Sequence, residues 1–256
     1  MRTFALDSAT TSLSLALLDD ERVAGELYLD LGRHHAEVLL PAAEGLLRST
    51  GWSWKTIDLL ACTVGPGSFT RVRIGVSTVK GLALALQRPI AAVSTLEALA
   101  MNGQSPGDWI CPLIDARKKQ VYTALYRSGI DGVPLLVGEP RLVAIEALLR
   151  ELPADKILFV GDGARAYHAL ICDALGERVW IGGSRDYRIL ASAVGLLGLR
   201  DYRFGNLLDP LSLSPFYLQL SSAEVVGSHY DGNDGTTASP GLVGDGSTVD
   251  ISPKLR

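Results

Sequence analysis

At 256 residues, with 47% hydrophobic and 20% charged residues, the chain is long enough for two modest domains or one large one. A net charge of −4 and a pI near 5.6 exclude a global attraction to nucleic acid or to a membrane surface. Any contact with RNA is expected to be local or to run through a partner. Cys62, Cys111 and Cys172 stand far apart in apolar runs, which fits neither a zinc knuckle nor a disulfide framework and predicts buried free thiols in a reducing compartment. No apolar run reaches membrane-span length, and Asp7 comes too early for a signal peptide. The expected location is cytoplasmic.

In chain order, Thr3–Leu6 is a short apolar strand ending at Asp7, followed by the polar turn Ser8–Ser12 and a second strand, Leu13–Leu18. Val23–Leu31 alternates apolar and polar residues as a half-buried third strand does. His34–Ser49 reads as a helix, with Pro41 kinking it or marking its first turns. Val38, Leu39, Ala42, Ala43, Leu46 and Leu47 give it more apolar surface than one contact needs. His34–His35 at its start is a poor metal pair, because adjacent helical residues diverge by about 100° and no third histidine follows. The pair is expected at the surface or an interface.

Leu59–Val64 is an apolar strand that runs into a Gly65-Pro66-Gly67-Ser68 turn and then a helix over Thr70–Leu86. The glycines permit backbone angles that a side chain forbids, and Ser68 or Thr70 is placed to cap the helix. Such a turn either holds an anion at the helix's positive end or simply connects strand to helix. In the helix, Ile74, Thr78, Leu82 and Leu86 form one stripe, and the small residues Ser77, Gly81 and Ala85 form a second. Arg73, Lys80 and Gln87 recur every seven residues on one narrow line. A helix this apolar is buried on more than one side: either it is internal to a larger core, or it meets another helix, one from another chain, with the small residues allowing close approach. Strand Ile90–Val93 and a short helix, Thr95–Met101, follow.

Asn102–Asp108 (NGQSPGD) is a candidate domain boundary, after which the chain begins again. Leu113-Ile114-Asp115 repeats the strand ending at Asp7; Val121 stands six residues after Asp115 as Leu13 does after Asp7, and Ala124-Leu125 echoes Ala16-Leu17. Val160-Gly161-Asp162-Gly163 echoes Val64-Gly65-Pro66-Gly67, again before a helical run. Two such echoes in one order indicate a duplicated unit. Helices are expected near Val143–Glu151, Ala164–Leu175 and Arg188–Phe204, and Leu213–Leu220 as a closing strand or extended arm. From 227 on, the Gly-, Ser-, Asp- and Thr-rich sequence is expected to form a flexible tail.

The repeated strand-Asp-turn-strand with glycine turns resembles the actin-like ATPase and sugar-kinase (ASKHA) superfamily. That resemblance implies a two-domain, duplicated α/β fold that clamps a nucleotide between opening hairpins, with domains at 1–105 and 106–226 and the tail at 227–256. LDSATTSLSLAL, GPGSFTRVRIGVSTVKGLALAL, IDARKKQVYTALY and VGDGA together resemble the TsaB (YeaZ) family of bacterial tRNA threonylcarbamoyladenosine biosynthesis proteins over residues 1 to about 224. Arg71 departs from that pattern, standing where it usually has Gly.

The resemblance implies a non-catalytic partner of the paralogue TsaD, working with TsaE to threonylcarbamoylate adenosine 37 of ANN-decoding tRNAs, with tRNA met only through the complex and a homodimer formed when TsaD is absent. Where TsaD carries a metal-binding His-x-x-x-His pair, this chain has Thr95 and Leu99, so no metal is expected. The implied vestigial nucleotide cleft comprises Asp7, Gly65, Gly67, Ser68, Asp115, Gly161 and Gly163, with at most weak ATP or ADP at the partner interface. Asp7 and Asp115 either face phosphate or magnesium or merely cap turns. The basic turn Arg117-Lys118-Lys119 either attracts phosphate or is solvated. The partner surface is assigned to His34, Val38, Leu39, Ala42 and Leu46 of the first helix and Arg73, Ile74, Ser77, Thr78, Lys80, Gly81 and Ala85 of the second. The rival readings are a small-molecule kinase or a metallopeptidase of the same superfamily. The absent histidine pair speaks against the peptidase, and the lack of an acidic base in an identifiable substrate pocket speaks against the kinase.

Overall fold

The computed structural model describes residues 1–32, 34–103, 107–181 and 187–218. The expected tail at 227–256, part of the 102–108 boundary and the last residues of the closing arm lie outside them. The chain opens with β1 (Arg2–Asp7), β2 (Ser12–Asp19) and β3 (Arg22–Asp30), an antiparallel meander. Then come α1 (His35–Thr50), β4 (Leu59–Gly65), α2 (Phe69–Leu86), β5 (Ile90–Ser94) and α3 (Thr95–Ala100). β1 and β4 are almost wholly buried, as central strands covered on both faces must be, which is why they read as continuous apolar runs.

The second half supplies β6 (Trp109–Arg117), β7 (Gln120–Thr123), β8 (Tyr126–Ser128), β9 (Pro134–Leu136), β10 (Arg141–Ala144), α4 (Ile145–Glu151) and β11 (Ile157–Val160). It continues with α5 (Asp162–Ala166), α6 (His168–Leu175), β12 (Val179–Ile181) and α7 (Ala191–Arg203). The first sheet is ordered β3-β2-β1-β4-β5, and the main path of the second is β10-β7-β6-β11-β12. Each path is a meander of antiparallel pairs extended by two parallel strands, so the second repeats the first strand for strand. The β8–β9 hairpin is the second half's addition, paired along β6.

The last helix of each half lies in the core between the sheets. α3 packs on β6, and α7 packs on β1, β2, β4 and β5. Gly195 and Gly198 bring α7 close, the first against Leu18 and the second against Ala61. One apolar cluster therefore runs through both sheets, from Ala5 and Ala61 to Leu158 and Leu197. Residues 1–218 form one compact unit. Among the described residues no helix is long and apolar enough to cross a membrane.

Several expectations shift. Val143 lies in β10, and the helix begins two residues later. The run expected as one helix over 164–175 breaks at Tyr167 into α5 and α6. The closing segment from Leu213 to Leu218 is extended but joins no ladder, and a short turn at Pro210–Ser212 precedes it.

Candidate functional site

The first glycine turn is filled by its own chain. Gly65 has φ +120°, and a side chain there would run into the Phe216 carbonyl oxygen, whose own amide donates to Val64 O at 2.7 Å. Gly67 presses on Ala9, and the Ser68 amide donates to Ala9 O at 2.8 Å. Ser68 occupies the cap position of α2, yet its side chain makes no capping bond. Ser8 Oγ donates to the Arg71 carbonyl at 2.9 Å, and the Arg71 guanidinium donates to Gly32 O at 2.7 Å. The second turn is similarly crowded: a side chain at Gly161, which has φ +93°, would run into the Leu113 carbonyl and stand against Leu99, and one at Gly163 would meet Leu113.

Asp7 is fully buried. Its Oδ1 accepts from Thr63 Oγ1 at 2.7 Å and from the Ala9 amide at 3.2 Å, whereas Oδ2 is buried with no partner. Burial pushes its carboxyl up to about 7 against the pull of those two hydrogen bonds, with Asp162 adding to the rise. Asp115 instead accepts from the Arg117 amide and Tyr167 Oη and pairs with the Arg117 guanidinium at 3.1 Å. Asp162, raised chiefly by burial, accepts from the Asp115 amide at 3.0 Å.

The residues assigned to a nucleotide cleft lie at the two glycine turns and the strand ends beside them. On the side where a Cβ would stand, their glycines abut Phe216, Ala9 and Leu113, and the Ser68 amide is bonded to Ala9 O. Thr95 and Leu99 are both buried, the first with an unpartnered hydroxyl and the second sealing Gly161. Neither side chain is a donor suited to zinc or iron. In the basic turn, Arg117, Lys118 and Lys119 all adopt left-handed angles, with Arg117 held by Asp115 and Lys119 by Glu146 at 3.0 Å.

The helical face needs three corrections. Leu39 is 1% exposed and belongs to the core with Ala43 and Leu47, because α1 turns that stripe onto the sheet. His35 is buried rather than superficial: its Nε2 lies 3.0 Å from Ser12 O, and burial lowers its pKa. His34 stays exposed beside Glu37. Lys80 is half-buried under the C-terminal arm and donates to Leu211 O at 2.9 Å and Leu213 O at 3.4 Å. Arg73 Nε likewise donates to Tyr217 Oη at 2.8 Å. The heptad line of polar residues on α2 is thus largely the track on which the arm lies.

The remaining assigned residues are dispersed over the outer side of α1 and α2. Val38, Ala42, Leu46, Ile74 and Thr78 are half-buried, while Ser77, Gly81 and Ala85 are exposed. A Cβ added at Gly81 would meet open space. Between the helices runs an open groove of ≈ 480 Å³, lined by Ala36, Leu40, Phe69, Thr70, Arg73, Ile74, Ser77 and Thr78. Leu40, Leu84 and Phe69 were missed by sequence reasoning. The first two are 43% and 51% exposed, and helical spacing alone did not rank them above their buried neighbours. Tyr217, stacked on Phe69 at 4.9 Å, is 148 positions further along, and no local pattern links the two.

A family model described as "TsaD: tRNA N6-adenosine threonylcarbamoyltransferase" matches residues 30–180. The chain is 33% identical over 225 residues to the tRNA threonylcarbamoyladenosine biosynthesis protein TsaB of Bacillus subtilis, covering 88% of this chain and 96% of that one. The solved structure of YeaZ from Pseudomonas aeruginosa superposes with a TM-score of 0.73 at 31% identity, covering 85% of this chain and 99% of that one. Component A of the Acidaminococcus fermentans (R)-2-hydroxyglutaryl-CoA dehydratase superposes with a TM-score of 0.50 at 9% identity, covering 79% and 99%. That last likeness carries the fold alone, which is the duplicated α/β fold of the actin-like ATPases and sugar kinases.

Proposed function

The chain belongs to the TsaB (YeaZ) family of tRNA threonylcarbamoyladenosine biosynthesis proteins, and from that premise we propose that it is a non-catalytic scaffold subunit on which TsaD, together with TsaE, threonylcarbamoylates adenosine 37 of ANN-decoding tRNAs in the cytoplasm. The observation that carries this reading is the outer face of α1 and α2. It combines a groove floored by Leu40, Phe69 and Ile74 with the exposed small residues Ser77, Gly81 and Ala85, so a facing helix can come close. The buried Thr95 and Leu99 and the self-filled glycine turns support the absence of chemistry of its own. In this reading TsaD docks on the helical face, a second copy takes its place when TsaD is missing, and tRNA is met only through the complex.

The test is a transfer assay on tRNA with the purified chain alone, with TsaD and TsaE, and with both plus the chain. Product is expected only in the last. Gly81→Leu, which puts a branched side chain where a facing helix should approach, is expected to leave the circular dichroism spectrum unchanged and to cut TsaD-dependent transfer by about tenfold, as overpacking worth about 1–3 kcal/mol does. Transfer by the chain alone, or full support of TsaD by a folded Gly81→Leu variant, would overturn the reading.

A further inference from the structure

We propose that Arg73 is the charged anchor of the helical face and that, in a second copy of this chain docked there, it pairs with the partner's Glu37, reciprocally across a two-fold axis running along the groove. The proposal rests on the scaffold reading above and names the contact that gives that face its register when two copies meet.

Arg73 is unusually well placed for such a role. It is exposed, and its guanidinium lies 3.8 Å from the centroid of the Phe69 ring and 5.8 Å from that of Tyr217. Nε is spent on Tyr217 Oη, which leaves the Nη1–Nη2 fork free for a planar anion. Among the described residues it makes no ion pair. The side chain is therefore fixed before a partner arrives, and the ordering entropy that usually weakens a surface ion pair is already spent. The C-terminal arm does this positioning, held by the Phe216–Val64 bond and by Lys80 on the Leu211 and Leu213 carbonyls.

The acid that would answer it lies on the same face. Arg73 shares its groove with Ala36 and Leu40, so it stands level with the first two turns of α1. Glu37 is in that stretch, 77% exposed, and among the described residues its ion pair is with the exposed His34 imidazole. A closed dimer is isologous: if one residue meets a second, the second meets the first. With the axis along the helices, α2 of one copy covers α1 of the other at the same level, and each Arg73 faces the partner's Glu37. With the axis across the helices, α2 covers α2 and both guanidinium groups are left without an acid. Charge therefore selects the first arrangement.

The experiment is analytical ultracentrifugation of the full chain and of Arg73→Glu, Glu37→Arg and their equimolar mixture, with circular dichroism and thermal melts as folding controls. Each single variant should dimerise about tenfold or more weakly than the parent, and the mixture should recover a mixed dimer of near-parental affinity. Glu37 lies away from the arm, so its variant separates loss of the pair from loss of the arm's packing. Parental dimerisation by either folded variant, or no recovery in the mixture, overturns the pairing. The same variants in the TsaD transfer assay separate the two readings. If the mixture fails while TsaD is still supported, only the pairing falls; if the parent neither dimerises nor supports TsaD, the scaffold reading falls with it.

Discussion

The two halves are wound alike, strand for strand, yet the helices between their strands differ greatly in size. α1 and α2 have 16 and 18 residues; their counterparts α4, α5 and α6 have seven, five and eight. The short helices suffice to cover the second sheet, with Ile145, Leu148 and Leu149 of α4 in its outer core. Covering a sheet of this design therefore does not require long helices. The surplus length in the first half buys an outward surface: α2 buries Val72, Gly75, Val76, Val79 and Ala83, and turns Ser77, Gly81, Leu84 and Ala85 to the outside. Divergence of the duplicated unit went into the connections, while the strands stayed put.

The comparison can be broken at its strongest point by truncating leucines on either side of α1. Leu39→Ala, in the core, should lower the unfolding free energy by about 2–5 kcal/mol, and Leu148→Ala on α4 should do the same. Leu40→Ala, one residue further on α1, should change it by no more than about 0.5 kcal/mol while weakening association with TsaD. Urea titration of the three variants decides the matter, and a large loss at Leu40 would mean that α1 has no outward apolar face.

A smaller contrast separates the two aspartates. Asp7 is sealed in the first half, whereas Asp115 is bonded to Arg117 and Tyr167. The unfolded Asp7 carboxyl loses its proton near pH 4 and the folded one only near 7, so the folded state binds the extra proton between those values. Its contribution is full below about pH 4 and is lost as pH rises to about 7, a fall of roughly 4 kcal/mol at most. Asp7→Asn should flatten that slope and make the protein more stable than the parent at pH 8, with little difference at pH 4. Denaturation at both pH values measures it, and parallel profiles for parent and variant would show that folding does not raise the Asp7 carboxyl.

The smallest expected effect distinguishes the two glycine turns. Gly65→Ala and Gly161→Ala should each cost about 1–3 kcal/mol, since both sit at positive φ against a carbonyl oxygen. Only Gly65→Ala should also free the arm, seen as faster hydrogen exchange at the Phe216 amide that bonds to Val64. Equal exchange in the two variants would show that the arm is held elsewhere.

Much of this was legible in the sequence. Strands ending at Asp7 and passing through Asp115 announced the repeat, and the two glycine turns fell at equivalent places because strand-to-helix connections carry strong local signals. The long first-half helices were placed to within one residue at each end. What was lost depends on long-range contact. Leu39 and Leu40 are equally apolar, and only the sheet beneath α1 decides which is buried. Arg73 and Lys80 read as partner-surface residues alone because nothing nearby reveals that 211–217 returns to them. β8, β9 and β12 have three residues each, too short for alternation to show.

The placement of α7 also bears on how the molecule comes into being. The sheet completed by Ser94 has Ala5, Ala16, Leu18 and Ala61 on the face that Ala191–Arg203 covers, and Ser14 Oγ there accepts from the Ala191 amide at 2.9 Å. A ribosome that has released the first five strands has therefore released only half of their core. The nascent chain must keep an apolar sheet face uncovered while about a hundred further residues are made, a time of roughly 5–20 s at ordinary synthesis rates. The inner face of the first sheet is completed only by a helix of the second half. The duplicated halves thus share one core, and neither has a complete one of its own.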